Sequence, residues 1–425
     1  MRRVAAPRLM LSHAGLKRLQ ALRASGRPLS GDERALARLF RLAESQVDER
    51  QARALVERGW VQPAPELLSK KAIRLLYGRN PLEHVARVNF EMTTRCNFAC
   101  RHCRNDGAAP ATEGDLPSLV EAARVFLSLG IRRFDFIGGE VTRYGDGWLE
   151  LAEEITRMDR DEPWPQPLAI TVYTNGWWLG AREFEAAGRS YRDAADYLRS
   201  LGSHGVTHVL FSIDGPEPLH DDWRGHPGLF RRVLDGIPRV LDAGLAPRLT
   251  VVTRSGESFD YLRPLAQAIY RRGDASLGLL ARDPFNHVSQ FIDIGRGVQF
   301  RRGLFALDEV DPRVARCKAF FRPDTLRVMA NGEVGICPLM LGGEAYGSVH
   351  RRPLREILNR LHEAPLYGLH ASGEIARFVD GIDRAAFGDR FDHPCSVRVE
   401  ANRVALASLA AGSLNPVGRG ASRSG

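Results

Sequence analysis

Three cysteines within eight residues are the part of this chain best suited to chemistry. Cys96, Cys100 and Cys103 stand in a C-x3-C-x2-C arrangement inside Thr93-Thr94-Arg95-Cys96-Asn97-Phe98-Ala99-Cys100-Arg101-His102-Cys103. Thiolates so spaced can converge on one soft metal centre. Structural zinc wants a fourth ligand with paired spacing; no further cysteine lies nearby, and His102 is the candidate for that reading. A four-iron cluster on three thiolates instead leaves one iron without a protein ligand, open to a substrate or cofactor. The other three of the six cysteines, Cys317, Cys337 and Cys395, are scattered far downstream.

The elements that must hold these thiols follow from hydrophobic patterning. Extended apolar runs occur at 85–92, 131–137, 168–174, 207–213, 248–253 and 276–281. Helical patterns lie between or after them at 119–129, 148–158, 184–201, 229–243 and 259–271. Alternating strands and helices build a parallel sheet with right-handed crossovers, here an α/β core over 85–300 that curls into a full or partial barrel. Such barrels carry their chemistry at the C-terminal ends of the strands, and the cysteine cluster directly follows the first one.

Two further zones and a tail flank this core. Residues 1–80 are rich in Arg, Leu and Ala. Ser30-Gly31-Asp32-Glu33 reads as a helix start, followed by Leu36, Leu39, Phe40 and Ala43 at helical spacing. A second helical stretch carries Leu55 and Val56 and stops at Gly59, before Trp60-Val61 and Pro63. Two short helices and an extended piece suggest a small winged-helix-like unit, with its exit near Pro81. Residues 301–402 show few helical signals, and 403–425, Gly/Ser/Arg-rich from Ala411, are expected to be disordered.

Composition narrows the class. With 44% hydrophobic and 26% charged residues in 425, the chain is globular and long enough for several cores. No run approaches the ~20 apolar residues of a membrane helix, so no membrane partner is expected. Met1-Arg2-Arg3 begins like a signal peptide, but Pro7, Arg8 and Lys17-Arg18 interrupt it. The reading is cytoplasmic, with reduced cysteines. Sixty basic against fifty-one acidic residues give a net charge of +9, which invites a nucleic-acid partner. The only lysines are Lys17, Lys70, Lys71 and Lys318, and the arginines are spread along the chain; with 41 Gly and 24 Pro this reads as a coding habit. Nucleic acid is not an expected partner.

The residues also resemble a known family. Cys96, Cys100 and Cys103, placed after the first strand, resemble the cluster signature of the radical S-adenosylmethionine (SAM) superfamily. The resemblance implies a partial (β/α)6 TIM-like barrel and a [4Fe-4S] cluster whose open iron chelates SAM. It implies reductive cleavage of SAM to a 5′-deoxyadenosyl radical that abstracts hydrogen from the substrate, with a flavodoxin- or ferredoxin-type electron donor. The second strand ends in Gly138-Gly139-Glu140, similar to the family's G-G-E motif. Its glycines would let backbone approach SAM, and its carboxylate would accept from the SAM ammonium group. Val141 stands where the family usually has proline. Tyr173-Thr174-Asn175-Gly176 and Phe211-Ser212-Ile213-Asp214-Gly215 resemble segments that line SAM, making Asn175 and Ser212 the candidate polar contacts; ordinary turn chemistry is the alternative. His220-Asp221-Asp222-Trp223-Arg224-Gly225 resembles an H-D-x-x-R-G stretch of one branch, read either as shaping the substrate side or as a solvated loop.

Cys317 and Cys337 lie in a C-x14-G-x4-C pattern around Asn331-Gly332 that resembles the opening of SPASM and twitch domains, which hold auxiliary iron–sulfur clusters. Tyr346-Gly347-Ser348-Val349, Pro353-Leu354-Arg355-Glu356-Ile357-Leu358 and Arg296 resemble neighbouring segments. A full SPASM domain has seven cysteines, so the resemblance implies a twitch/SPASM-like α+β domain over 301–402 with one auxiliary cluster on Cys317, Cys337 and Cys395. Cys395 is alternatively a hydrogen donor to a substrate radical, or an inert thiol. The N-terminal unit, with Leu55-Val56-Glu57-Arg58-Gly59-Trp60-Val61, is similar to small winged-helix domains that capture a leader peptide as an added strand. The implied function is a peptide-modifying oxidoreductase or maturase. Oxidation or epimerisation of a sugar-like small molecule is the alternative, and a non-catalytic metal- or nucleic-acid-binding protein is the reading of a different class.

Overall fold

The computed structural model describes residues 85–411, except 105–110, 146, 162–165, 255–257, 276, 309–313, 315–316, 322, 338, 340–345 and 361–363. Ahead of them it describes 9–11, 18, 28, 30–34, 50, 54–55, 57–58 and 60–63. In that first stretch β1 (Leu9–Leu11) pairs antiparallel with β2 (Val61–Pro63). The expected helix start is there as a reciprocal cap: the Glu33 carboxylate accepts from the Ser30 N–H at 2.9 Å, and the Ser30 hydroxyl accepts from the Glu33 N–H at 3.4 Å. Arg18 and Arg58 lie over the Trp60 ring at 5.7 and 5.3 Å, and pair with Glu33 and Asp32. Leu36, Leu39, Phe40, Ala43, Val56, Gly59 and Pro81 lie outside the described residues.

The core begins with β3 (Arg87–Thr93), α1 (Leu116–Ser128), β4 (Arg133–Gly138), α2 (Gly147–Asp161) and β5 (Ala169–Thr174). A hairpin, β6 (Arg182–Ala186) and β7 (Arg189–Asp193), leads into α3 (Ala194–Ser203). Then come β8 (His208–Ile213), α4 (Glu217–Arg224), α5 (Leu229–Asp242), β9 (Ala246–Thr253), α6 (Leu262–Tyr270), α7 (Leu277–Arg282) and β10 (His287–Gln290). The six strands β3, β4, β5, β8, β9 and β10 are parallel neighbours in that order.

Alternation along these strands builds two different surfaces. Val88, Phe90 and Met92 of β3 are fully buried, and the Phe90 ring meets Phe126, Phe134 and Phe136 at 6.1, 5.9 and 6.3 Å. The alternate residues Arg87, Asn89 and Glu91 face the inside of the curved sheet. Arg87 Nη1 lies 2.6 Å from His287 Nε2, although β3 and β10 are at opposite ends of the six-stranded stretch. The sheet therefore curls until its two ends meet, giving the expected partial barrel. Among the described residues no helix is long and apolar enough to cross a membrane.

Five expectations are corrected. The sixth strand is not 276–281: Leu277–Arg282 is helix α7, and the strand is His287–Gln290. Leu, Ala and Arg favour helix there, whereas His-Val-Ser-Gln carries no apolar run. The stretch 184–201 opens as the β6–β7 hairpin. Phe184 and Ala186 are buried two apart on β6, Tyr191 is buried opposite Phe184 on β7, and Ala187-Gly188 turn the chain with φ of +52° and +68°. The His220–Gly225 segment is no solvated loop, because it forms α4 with His220, Trp223 and Arg224 buried.

The last two corrections concern the third zone, which holds more helix than its few signals suggest, and the tail after it. After β11 (Phe305–Ala306), α8 (Lys318–Phe321) precedes β12 (Thr325–Val328) and β13 (Val334–Gly335). There follow α9 (Leu354–Arg360), α10 (Pro365–Ser372), a 3-10 segment (Glu374–Gly381), α11 (Arg384–Phe387), β14 (Arg390–Phe391) and α12 (Pro394–Ala410). These helices are mostly short, and the long one, α12, is Ala/Val-rich; only α9 shows a stripe, Leu354, Ile357 and Leu358. Helix α12 carries regular structure to Ala410, beyond the expected start of the tail at 403; Ala401 and Ala405 are buried, and Ala and Leu favour its continuation. Residues 412–425 lie outside the described set. The Asn331-Gly332 turn joins β12 to β13 as expected, with Gly332 at φ +78°. Strand β12 also pairs in parallel with β3, so this hairpin extends the core sheet to eight strands.

Candidate functional site

Strand β3 ends in a bulge between Glu91 and Thr93, opposite Ile137 and Gly138 of β4, and the chain leaves it into the cysteine loop. The loop is held by its own backbone and by the strand ends around it. Cys103 N–H donates to the Cys100 carbonyl at 3.3 Å, and Phe98 N–H to Cys96 Sγ at 3.4 Å. Phe98 stacks on His226 with centroids 3.6 Å apart. All three thiols are free; Cys96 is exposed, Cys103 half-buried and Cys100 buried. Although Cys96 shows surface, desolvation in the loop pushes its thiol up to about 11, against the Phe98 N–H, which lowers it. Burial also raises the Cys100 thiol, and the Arg224 guanidinium works in the opposite direction.

Beside the loop, the end of β4 makes a backbone junction. Gly139 N–H donates to the Thr93 carbonyl and Glu140 N–H to the Arg95 carbonyl, both at 2.8 Å. A Cβ on Gly138 would sit 2.2 Å from the Thr93 carbonyl oxygen, and one on Gly139 2.2 Å from that of Arg95. The two glycines therefore let β4 press against the chain leading into Cys96. This is a different use from the direct approach to SAM that the motif suggests.

Glu140 is also committed within the chain. Its carboxylate accepts from Thr174 Oγ1 at 2.9 Å, Thr142 Oγ1 at 3.0 Å and the Asn175 N–H at 2.8 Å. Burial raises its carboxyl above the ordinary value, while these donors pull it down. Oε1 takes both hydroxyls and Oε2 the Asn175 N–H alone, so Glu140 braces the site and keeps acceptor capacity on Oε2. Asn175, at the end of β5, donates from Nδ2 to Asn97 Oδ1 at 3.0 Å and accepts from the Trp177 N–H at 3.0 Å. That bond ties the third strand to the residue after Cys96. Ser212 is half-buried on β8, on the face opposite the buried Phe211 and Ile213.

On the other side the loop docks on the last turn of α4. Arg101 N–H donates to the Trp223 carbonyl at 2.7 Å, and Arg101 pairs with Asp222 at 2.6 Å. The His102 ring lies against Trp223, 4.7 Å between centroids, with Nε2 3.2 Å from Asp214 Oδ2. Arg224 Nε donates to that same oxygen at 2.6 Å. Burial alone would raise the Asp214 carboxyl, but Arg224 and His102 outweigh it and hold the group well below the carboxylate range. Sequence reasoning gave Asp214 and Arg224 no role at the cysteines. The signal was present: His220 and Arg224 are four residues apart, hence on one helix face, and both are buried.

The remaining cysteines lie further along the chain. Cys337 is buried just past β13, and Cys317 is half-buried just ahead of α8. Cys395 opens α12, where Arg398 Nη1 lies 3.5 Å from its sulfur. Arg398 Nε donates to the Val314 carbonyl at 2.9 Å, so the chain shortly before Cys317 lies against the turn that carries Cys395. Among the described residues no three His, Cys, Asp or Glu side chains converge on a single-ion site.

The family model described as "Radical SAM superfamily" matches residues 90–267, from β3 into α6. The chain carries a radical SAM domain. The cofactors of this domain are a [4Fe-4S] cluster and SAM. The residues present fit that pair: three free thiols on a loop pinned by three strand ends, a buried cation near the thiols, and glycines where a Cβ would press on the backbone leading into Cys96. Among curated relatives, the GTP 3',8-cyclase of Synechococcus sp. (strain CC9605) is 28% identical over 240 residues, covering 53% of this chain and 60% of the relative. An AdoMet-dependent heme synthase of Nitratidesulfovibrio vulgaris is 27% identical over 187 residues, covering 43% and 45%. The chain thus spans about half the length of the curated relatives it matches. A solved structure of Streptococcus suis SuiB bound to precursor peptide SuiA is 12% identical at a TM-score of 0.45, covering 80% of this chain and 83% of that one.

Proposed function

We propose that this chain is a radical SAM enzyme in which Cys96, Cys100 and Cys103 hold the [4Fe-4S] cluster. The observation that carries the reading is the joining of the cysteine loop to the ends of β4, β5 and the β8–α4 connection, where parallel barrels do their chemistry. When bound, the cluster and SAM supply the electron and the hydrogen-abstracting group. The chain's own part is to ligate, orient and enclose. Cys96, Cys100 and Cys103 present sulfur. Gly138 and Gly139 let the loop close against β4, Glu140 locks the ends of β4 and β5 together, and Asn175 holds Asn97 beside Cys96. Ser212 is the polar side chain left on β8 for a contact to SAM.

The substrate we propose is a ribosomally made peptide, captured by the N-terminal unit before its modification. The supporting observation is the β1–β2 pair, formed by segments some fifty residues apart, which offers a strand edge beside Trp60. A small polar substrate is the second reading. It is favoured by the names of the curated relatives and by the charged barrel interior, where Arg87, Glu91, Asp135 and Arg327 are buried or nearly so. Cys317, Cys337 and Cys395 are proposed to hold an auxiliary cluster, supported by the contact that sets the Val314 backbone against α12.

Binding of the full chain to short peptides encoded beside its gene tests the peptide reading. Saturable binding that falls when Trp60 is changed to Ala supports it. Absence of binding, together with SAM cleavage stimulated by a small phosphorylated or sugar-like compound, favours the second reading.

A further inference from the structure

The buried pair Asp214–Arg224 lies where the cysteine loop docks. Asp214 follows β8 and is 2% exposed, while Arg224 ends α4 and is 8% exposed. One carboxylate oxygen of Asp214 takes both Arg224 Nε, at 2.6 Å, and the neighbourhood of His102 Nε2, at 3.2 Å. His102 lies between Cys100 and Cys103 in sequence, so the pair is joined to the thiol-bearing loop through one side chain. The loop backbone is bonded to the same helix turn through Arg101 and Trp223. A full positive charge is therefore fixed behind the loop in a medium of low dielectric, where it acts strongly on neighbouring charge.

We propose that Arg224 is a positioning residue that sets the electron affinity of the cluster on Cys96, Cys100 and Cys103, with Asp214 as its counterweight. The inference rests on the assignment of the cluster to those cysteines. Reduction adds one negative charge to an already anionic thiolate-bound centre, so a nearby buried guanidinium favours the reduced form and a nearby carboxylate disfavours it. Since the two side chains are hydrogen-bonded, each also limits the influence of the other. Removing one must therefore shift the midpoint potential one way, and removing the other must shift it the opposite way. A role confined to holding the fold has no reason to produce opposite signs.

The test is a potentiometric titration of the anaerobically reconstituted full chain, followed by electron paramagnetic resonance with titanium(III) citrate as reductant. Wild type is compared with Arg224→Gln, Arg224→Lys and Asp214→Asn. The expected midpoints are more negative for Arg224→Gln, less negative for Asp214→Asn, and near wild type for the charge-preserving Lys. Unmoved midpoints, or shifts of one sign in both Arg224→Gln and Asp214→Asn, overturn the proposal. If Arg224→Gln retains no iron, the near-isosteric Asp214→Asn decides: an upward shift supports the role and an unmoved midpoint overturns it. A Cys96→Ala/Cys100→Ala/Cys103→Ala variant separates the two levels. A spectrum unchanged from wild type in it overturns the cluster assignment, whereas loss there of one component, the auxiliary cluster's remaining, with the midpoint of that component unmoved in the Arg224 and Asp214 variants overturns only the role of Arg224.

Discussion

The Glu140 carboxylate accepts the Asn175 N–H at 2.8 Å, joining the ends of two neighbouring strands directly beside the cysteine loop. Through Asn175 Nδ2 and Asn97 the same junction reaches the residue after Cys96. Residues that a sequence motif would aim at a cofactor thus also hold one another.

Replacing Glu140 by Gln should test that bracing role. The side chain keeps its size but turns an acceptor into a donor against groups that already donate. A loss of about 1–3 kcal/mol is expected, seen as a lower denaturation midpoint, with weaker SAM retention in equilibrium dialysis. Unchanged stability with SAM affinity alone reduced would return Glu140 to the direct role read from the motif.

The glycine junction makes a sharper prediction. Gly138→Ala and Gly139→Ala each place a methyl group 2.2 Å from a carbonyl oxygen. Backbone must shift to admit it, at a cost of ~1–3 kcal/mol or more. Gly145→Ala, with nothing within 4 Å, should be close to neutral and serves as the control. Soluble yield and thermal melting compare the three.

Asn175→Ala should leave the fold standing, since it removes two half-buried bonds, to Asn97 and from the Trp177 N–H, each worth ~1 kcal/mol. Its effect is expected on the loop: iron retention under a chelator challenge should fall by about 10-fold, in line with other supports of metal ligands. Retention equal to wild type would show that the Asn97 contact does not hold the loop.

Acid should destabilise the protein through buried histidines. His370 is 1% exposed, stacks on Phe320 at 4.1 Å and meets Asn402 at 2.9 Å. Burial lowers it to about 4, against an ordinary value of 6.5. Between those limits the unfolded chain binds a proton that the native chain does not. Stability therefore falls as pH drops through that window, by at most roughly 1.4 kcal/mol per pH unit. His208 and His287, also lowered to about 4 by burial, act in the same sense. Urea unfolding between pH 7 and 4.5 should show this slope, reduced in His370→Gln.

Much of the architecture was legible because each signal had one physical meaning. Thiols at short spacing after an apolar run marked the loop, and five of the six barrel strands carried enough apolar side chains to be read. The sixth strand was not readable: His287–Gln290 owes its place to pairing with β9 rather than to its own composition. The hairpin after β5 was hidden because Phe184 and Tyr197 share helical and extended periodicities within one stretch. Gly138, Gly139 and Glu140 were found, but their contacts were not. A close approach of backbone reads the same in sequence whether the neighbour is a ligand or the strand alongside. Asp214 and Arg224 were on the page as letters, and only the fold puts them beside Cys100.

The central claim is that Cys96, Cys100 and Cys103 hold a SAM-cleaving cluster. The most direct measurement is iron content and reductive SAM cleavage of the anaerobically reconstituted chain, with and without those cysteines. With an auxiliary cluster also present, about eight irons per chain are expected, falling to about four when the three cysteines become Ala and also when Cys317 and Cys337 do. SAM cleavage should vanish only in the first case. Iron content unchanged by loss of Cys96, Cys100 and Cys103, or a loaded wild-type chain that leaves SAM intact, would contradict the account.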